Sequence, residues 1–250
     1  MKTLSPVYVE GVMVLSQERL TEDVYRLTVA TMTGGAPGQF YMVRAWEREP
    51  LLGRPISVHS VDEESVSFLY QVRGRGTELL SRLQQGGTVA LTGPLGHGFR
   101  TEELRGRIAI VTGGIGIAPM FCLARTLPPG DVTVIAGFKS HPYAVAQFTD
   151  LGMDVRITTE DGCDGTRGLC TEDLDPHLYD AVMTCGPMPM MARVAHLCAE
   201  AGVPCQASLE AHMACGVGAC LVCSCATIEG NKRVCADGPV FDATEVVWHA

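Results

Sequence analysis

The chain has 250 residues, 46% of them hydrophobic, with 28 acidic residues against 19 Lys and Arg and a formal net charge of −9 at pH 7. This length allows two modest domains plus an appended module, and the acidic balance argues against a nucleic-acid partner, which would want a basic face. No apolar run approaches the roughly 20 residues needed to span a bilayer, and Met1-Lys-Thr-Leu-Ser-Pro6 lacks a secretory signal pattern. The expectation is a soluble cytoplasmic protein with no membrane partner, whose 11 cysteines are free for metal or packing.

Residues 1–103 read as an antiparallel β-barrel. Tyr25, Leu27 and Val29 alternate with Arg26 and Thr28, and Val66, Phe68, Tyr70 and Val72 alternate with Ser67, Leu69 and Gln71. That period of two marks half-buried strands, separated by turn signals at Gly34-Gly35-Ala36-Pro37-Gly38, Gly74-Arg75-Gly76 and Gly93-Pro94. One helix interrupts them, with Thr77 as N-cap, Leu79, Leu80 and Leu83 facing inward and Gly86 ending it. Arg54-Pro55-Ile56-Ser57 has a guanidinium fixed by a proline and a hydroxyl three residues on, which suits a diphosphate; a solvated strand edge is the plainer reading. Gly76-Thr77 offers either an anion site at a helix start or an ordinary cap.

Over residues 104–204 the pattern becomes strand, turn, helix. Ile108–Val111 is a continuous apolar run, as expected of a strand covered on both faces. Further strands follow at Val132–Ala136, Val155–Thr158 and Ala181–Thr184, with helices at Met120–Leu127 and Met188–Gly202. This is the signature of a doubly wound parallel α/β sheet. Gly113-Gly114-x-Gly116 lies where a dinucleotide pyrophosphate approaches, although it is not G-x-G-x-x-G and a tight turn accounts for it equally well. Cys185-Gly186-Pro187 closes a later strand on the same edge, where ligands of such sheets bind; a lone Cys there is more often packing.

Residues 205–250 form a small cysteine-rich module. Cys215, Cys220 and Cys223, with a distal Cys235, have the plant-type spacing of a 2Fe–2S cluster. Structural zinc is the rival, but zinc prefers paired Cys-x2-Cys knuckles and only Cys220 and Cys223 form one. Gly216 and Gly218 let the loop wrap and bring amides to the sulfurs. Cys225, on an expected strand beside a hairpin around Glu229-Gly230-Asn231, is left out as a buried or supporting thiol. There are no internal repeats and no low-complexity segment.

Arg54-Pro-x-Ser, Gly113-Gly-x-Gly-x-Ala-Pro119 and Cys185-Gly-Pro occur in that order, and with Pro37-Gly38-Gln39-Phe40 they resemble the ferredoxin–NADP reductase superfamily. Met213-Ala-Cys215-Gly-Val-Gly-Ala-Cys220-x-x-Cys223 and Arg233-Val-Cys235-x-Asp-Gly-Pro-Val-Phe241 closely resemble the electron-transfer subunits of type B, NAD-dependent dihydroorotate dehydrogenases, and the likeness spans nearly the whole chain. The resemblance implies a flavin-binding barrel, a nicotinamide-binding sheet and a 2Fe–2S module. Carried over by position, it implies that Arg54, Pro55, Ile56, Ser57, Tyr70, Gln71, Val72, Gly76 and Thr77 contact FAD. Gly113, Gly114, Gly116 and Pro119 cradle NAD(H), with Cys185, Gly186 and Pro187 near the nicotinamide. Cys215, Cys220, Cys223 and Cys235 ligate the cluster. It further implies a flavin and iron–sulfur oxidoreductase subunit of de novo pyrimidine (UMP) biosynthesis, working with an FMN-containing catalytic subunit in a heterotetramer of two of each chain. No acid–base pair for pyrimidine chemistry is evident, as suits a chain that moves only electrons. Lys139 and Arg156 have the charge to read a 2′-phosphate, but they form no paired cluster, which favours NADH over NADPH. Thr159-Glu160-Asp161-Gly162-Cys163 departs from the family in its Glu and Cys, and His59 reads as an unremarkable variant position. A self-sufficient reductase that feeds a ferredoxin, and a zinc-binding interaction module, remain as alternatives.

Overall fold

Two hydrophobic patterns build two layers, and the computed structural model describes them over residues 7–31, 33–102 and 104–248. The N-terminal stretch read above, residues 1–6, lies outside the described residues. The period-two segments become β1 (Val7–Arg19), β2 (Val24–Ala30), β3 (Phe40–Arg44), β4 (Arg54–Val61) and β5 (Ser65–Gln71). After helix α1 (Arg75–Ser81), β6 (Thr88–Leu95) closes an antiparallel barrel in the order β1-β2-β5-β4-β3-β6. Val66, Phe68 and Tyr70 of β5 point into the barrel core with Val58 and Tyr41. Its opposite face is not solvated, because Leu69 and Val24 pack into the core of the second layer. Each such side chain contributes about 1.5–3 kcal/mol on leaving water, so the two layers are firmly joined.

The second layer is a sheet of β7 (Ile108–Gly113), β8 (Val132–Phe138), β9 (Asp154–Thr159), β10 (Thr166–Arg167), β11 (Ala181–Cys185) and β12 (Cys205–Ser208), interleaved with α2 (Ile117–Ala124), α3 (Ala146–Asp150) and α4 (Met188–Ala201). These strands run parallel. A hairpin of β13 (Ser224–Thr227) and β14 (Gly230–Arg233) follows, and β15 (Val240–Asp242) adds antiparallel to β12, giving the order β10-β9-β8-β7-β11-β12-β15. The run Ile108–Val111 divides between two cores: Ile108 and Ile110 meet Ile117, Met120 and Leu123, whereas Ala109 and Val111 lie in the core that holds Met191, Val194 and Cys198 of α4. The cysteine-rich segment is thus continuous with the sheet through β12 and β15. Among the described residues no helix is long and apolar enough to cross a membrane.

The helix expected at Thr77 differs in detail. Its N-cap is Gly74, and Thr77 sits inside the first turn, its hydroxyl accepting from the amides of Arg73 and Gly74 at 2.9 and 3.2 Å. The helix stops at Ser81, well before Gly86, and of the three leucines expected to face inward Leu80 alone is fully buried. The second layer's first helix starts at Ile117 rather than Met120, directly after the glycine turn.

His59 is not an unremarkable position. It is 1% exposed at the seam between barrel and sheet. Its Nδ1 donates to the Ala118 carbonyl at 2.8 Å, and Nε2 lies 3.1 Å from the Gln147 side-chain amide. Nε2 faces Gln147 Oε1, and a neutral ring has only one proton to share between this oxygen and the Ala118 carbonyl, whereas a protonated ring would satisfy both; the Gln147 amide nitrogen is buried without a partner. The ring also stacks on Phe121, 5.1 Å between centroids. Burial holds the His59 pKa below its ordinary value, against the two hydrogen bonds and with help from Arg26 and Arg125. A base with a depressed folded pKa stabilises the fold above its unfolded pKa of about 6.5, and this contribution is lost as pH falls. His59→Asn keeps a donor for Ala118 and removes the titration, so thermal denaturation at pH 7.5 and 5.5 should show a smaller acid-induced fall in Tm than in wild type.

Candidate cofactor cleft and cysteine loop

Strands β7 and β11 are neighbours, so the turns that follow them meet. A Cβ on Gly116 would lie 2.3 Å from the Cys185 carbonyl oxygen, which only glycine permits, and Gly186 backs directly onto Gly113. Gly114–Gly116 forms one turn of 3-10 helix leading into α2. Beside them opens a cavity of about 890 Å³. The sheet supplies Gly113–Gly116, Phe138–His141, Tyr143, Glu160 and Gly186–Met191 to its wall, the barrel supplies Thr21–Asp23, Gln71 and Arg73, and the cysteine-rich segment supplies Glu210.

The expected nucleotide residues divide at this wall. Gly113, Gly114, Gly116, Gly186 and Pro187 face the cavity. Pro119 is buried inside α2, and Cys185 is 2% exposed behind Gly186. Burial pushes the Cys185 thiol up, and Glu210 adds to the effect. Enclosure likewise raises the Glu210 carboxyl, opposed by Arg73, although its side chain still reaches solvent through the cleft. Thr112 and Thr184, at the ends of β7 and β11, carry buried hydroxyls with no partner.

Most of the expected flavin residues lie off this wall. Gln71 alone of that set lines it. Arg54 Nη1 donates to the carbonyls of Leu52 and Gly53 at 2.7 and 3.3 Å, and its Cζ sits 5.5 Å from the Trp46 ring centroid. A side chain on Gly76 would strike Arg54 Nε at 2.4 Å, so the two sequence-distant elements do meet. Pro55, Ser57, Val72 and Thr77 are partly exposed. Ile56 and Tyr70 point into the barrel core, where the Tyr70 hydroxyl accepts from Gln17 Nε2 at 2.7 Å. Those two residues can meet a ligand only through backbone.

The cysteine loop is seated on the barrel. Gly216 has φ +72°, and a Cβ there would lie 2.8 Å from Met42 and 3.0 Å from Leu95. Amides of Val217 and Ala219 donate to Cys215 Sγ at 3.4 and 3.3 Å, that of Gly218 to Cys235 Sγ at 3.1 Å, and that of Cys235 to Cys223 Sγ at 3.4 Å. Burial alone would raise the Cys215 thiol, but the amide donors and Cys220 bring it down to about 6. Burial and the neighbouring Cys223 thiol push Cys235 up to about 12. Among the described residues no group of three Cys, His, Asp or Glu side chains is placed to hold a metal ion, these cysteines included. Arg233 grips Asp237 through two hydrogen bonds of 2.9 Å and donates to the Gly218 carbonyl at 3.3 Å, tying the two arms of the loop.

With this geometry in view, comparison with known proteins is informative. Residues 210–247 match the iron-sulfur cluster binding domain of dihydroorotate dehydrogenase B. Over 229 residues the chain is 44% identical to the dihydroorotate dehydrogenase B (NAD(+)) electron transfer subunit of Clostridium acetobutylicum, covering 92% of this chain and 93% of that protein. The chain belongs to this family. It is an electron transfer subunit of dihydroorotate dehydrogenase B, an oxidoreductase subunit whose family serves pyrimidine biosynthesis. The subunit from Caldanaerobacter subterraneus is 42% identical over 242 residues, covering 94% of this chain and 97% of that one. A solved NADH-dependent reduced ferredoxin-NADP oxidoreductase, described for flavin-based electron bifurcation, superposes with a TM-score of 0.85 at 27% identity, covering 96% of this chain and 91% of that one.

Sequence reasoning did not pick out Glu210, Arg73, Tyr143, Trp46 or the Arg233–Asp237 clamp. None lies in a spaced motif of its own; Arg233 and Asp237 alone stand in a quoted run, without a role. Gly116→Ala should separate β7 from β11 and cost on the order of 2–3 kcal/mol, read as a lowered urea midpoint. Gly130→Ala, with nothing within 4 Å of the new methyl, should leave the midpoint nearly unchanged.

Proposed function

We propose that this subunit carries electrons between NAD(H) and an FMN-containing catalytic chain by way of FAD and a 2Fe–2S cluster, while the catalytic chain oxidises dihydroorotate to orotate. Residues 1–103 serve the flavin, 104–204 the nucleotide and 205–250 the cluster. The observation that carries the reading is the single cleft to which barrel, sheet edge and cysteine segment each contribute wall. A flavin exchanges electron pairs with a nicotinamide and single electrons with a cluster, and so supplies the conversion between the two sites.

The chain's own residues divide the work. Arg54, held against Gly76, is placed for the flavin diphosphate. Gly113–Gly116 lets backbone approach the nucleotide pyrophosphate, and Gly186-Pro187 walls the nicotinamide end. Cys215, Cys220, Cys223 and Cys235 together suit two irons with two thiolates each. Amide donors to the sulfurs favour their anionic form. Cys225 stays out of the ligand set, its thiol raised by burial on β13. NADH is favoured over NADPH because no pair of cations meets in the cleft: Lys139 lines it together with Glu160, whereas Arg156 is paired with Asp154 at 3.3 Å and is absent from the wall. A carboxylate there repels a 2′-phosphate.

The exit to the partner lies at Cys220. That residue is exposed, and around it Val217, Leu221 and Val222 are 56–61% exposed, an apolar collar that a catalytic chain would cover in an assembly of two of each chain. Physiological flow then runs from the partner to NAD.

The test is reconstitution of the anaerobically purified subunit with its catalytic chain. Dihydroorotate-dependent NAD reduction should require both chains. The subunit alone should oxidise NADH at least about tenfold faster than NADPH with an artificial acceptor; equal rates count against the nucleotide assignment. Efficient reduction of a ferredoxin without any catalytic chain would favour the self-sufficient reductase, and a colourless zinc-loaded protein would sink both redox readings. For the ligands, Cys225→Ser should keep the visible absorption of the cluster and Cys235→Ser should abolish it. The reverse pattern overturns the assignment.

A further inference from the structure

Strand β4 carries more than the Arg54–Ser57 run. Its pairing with β5 skips a step between Val58 and Ser60, a bulge that leaves His59 as the extra residue. Bulges re-aim a side chain. Ile56 and Val58 point into the barrel core, whereas His59 turns onto α2, where Nδ1 meets the Ala118 carbonyl at 2.8 Å and the ring stacks on Phe121. Arg125, which caps the far end of α2, reaches back to the end of the same strand. Its Nη1 donates to the Val61 carbonyl at 3.0 Å and its Nη2 to the Asp62 carboxylate at 2.9 Å. We propose that β4 and α2 form a brace that fixes the gap between flavin and nicotinamide, with His59 as a positioning residue for hydride transfer. The inference rests on the flavin and nucleotide readings above.

The brace is short at both ends. Ser57 stands two residues before His59 on β4, which at strand rise is roughly 7 Å. Gly116 caps α2 and Ala118 is its second residue, so the pinned carbonyl is roughly 3 Å along the helix from the glycine turn. The pins also share one face. Ala118, Phe121, Cys122 and Arg125 recur at spacings of three and four, which sets them on one stripe of a helix. Cys122 on that stripe packs into the barrel core, while Ile117, Met120 and Leu123 pack into the sheet. Through Gln147, 3.1 Å from Nε2, His59 also meets α3, and the loop before α3 holds Tyr143 on the cleft wall.

Hydride transfer is the step that this spacing governs. One hydride passes between nicotinamide C4 and flavin N5, a C–H bond breaking as an N–H bond forms, with both electrons moving together and no further reactant. The rate depends steeply on how the two atoms approach, and a displacement of about 1 Å costs on the order of a hundredfold. With the flavin on the barrel and the nucleotide on the sheet, the gap belongs to the seam rather than to either site. Apolar packing joins the two layers but has no direction. The hydrogen bonds at the two ends of α2 supply the register. His59 is buried and absent from the cleft wall, so it acts through the elements it holds.

The test is anaerobic stopped-flow reduction of the flavin-loaded subunit by NADH, which separates the limiting rate of flavin reduction from the Kd for NADH. His59→Ala should lower the limiting rate about tenfold to a hundredfold while leaving the Kd and the bound FAD nearly unchanged. The long-wavelength absorption of the stacked flavin–nicotinamide pair, recorded at equilibrium, should weaken in parallel. His59→Asn, which keeps a donor for Ala118, should recover most of the rate and of that absorption. Arg125→Ala, at the exposed end of the brace, should slow the step about threefold to tenfold, and it alone decides the matter if His59→Ala does not fold. Wild-type limiting rates and absorption in these variants overturn the inference, even if their Tm is lowered. A loss confined to the Kd, or to FAD content, overturns it as well, because the defect would then lie in a site and not in the gap. A wild-type chain that binds no flavin overturns the flavin reading instead, and this inference falls with it.

Discussion

Barrel, sheet and cysteine-rich segment share one seam, and a short terminal segment closes it. The Gly238 carbonyl accepts from the His97 amide at 2.6 Å on the barrel side, and the Pro239 carbonyl accepts from the Leu209 amide at 2.9 Å on the sheet side. Val240 crowds Gly38 of the Pro37–Phe40 turn, and β15 extends the sheet against β12. Cys235 precedes this segment by a few residues, so the pairing that completes the sheet also seats the distal cysteine. Phe40, Met42 and Leu95 of the barrel, Val111 of the sheet, and Cys223 and Cys235 consequently belong to one core. Detaching the cysteine segment would expose that core, and this is why it behaves as part of the sheet rather than as a tethered bead.

Around the sulfurs, backbone does most of the electrostatic work. Thiolates in a half-buried loop need compensating donors, and four amides within 3.1–3.4 Å supply them without importing a charged side chain. Positive φ at Gly216 and Gly218 turns these amides inward. The nearest fixed cation, Arg233, is spent on Asp237 and on a loop carbonyl. The loop's shape is therefore held by its own backbone, with Cys220 left outermost among the four sulfurs. Leu221, at φ +59°, carries the chain outward immediately after it.

At the seam between barrel and sheet, hydrophobic burial and one polar pin cooperate. Leu69 and Val24 supply apolar area, while His59 reads the start of α2 through the Ala118 carbonyl. Because α2 begins directly after Gly116, the position of the glycine turn relative to the barrel is coupled to that histidine. The wall of the cleft follows from a core interaction some distance from it.

Much of this was legible in the chain itself. Period-two strands, the apolar run at Ile108, the glycine turn and the cysteine spacing are local patterns, and local patterns follow from backbone geometry and ligand number without knowledge of distant neighbours. The family resemblance rests on the same short runs. Other features depend on what lies across the fold. Leu69 read as the polar-side partner of Phe68 because the core it joins is built from elements far along the chain. Thr77 read as a cap because a threonine before an apolar run has that form, yet Gly74 takes the position. Pro119 and Cys185 stand in the expected motifs but face away from the cleft, since helix packing and strand alternation decide which side chain meets a cavity. Glu210, Trp46 and His59 carry no spacing signal, and their roles come from proximity alone. The sequence by itself determined the order of the parts and the residue types that could hold each cofactor, because those are properties of short segments. Only the tertiary structure decided which of these residues share a surface, because that depends on long-range packing between segments far apart in the chain.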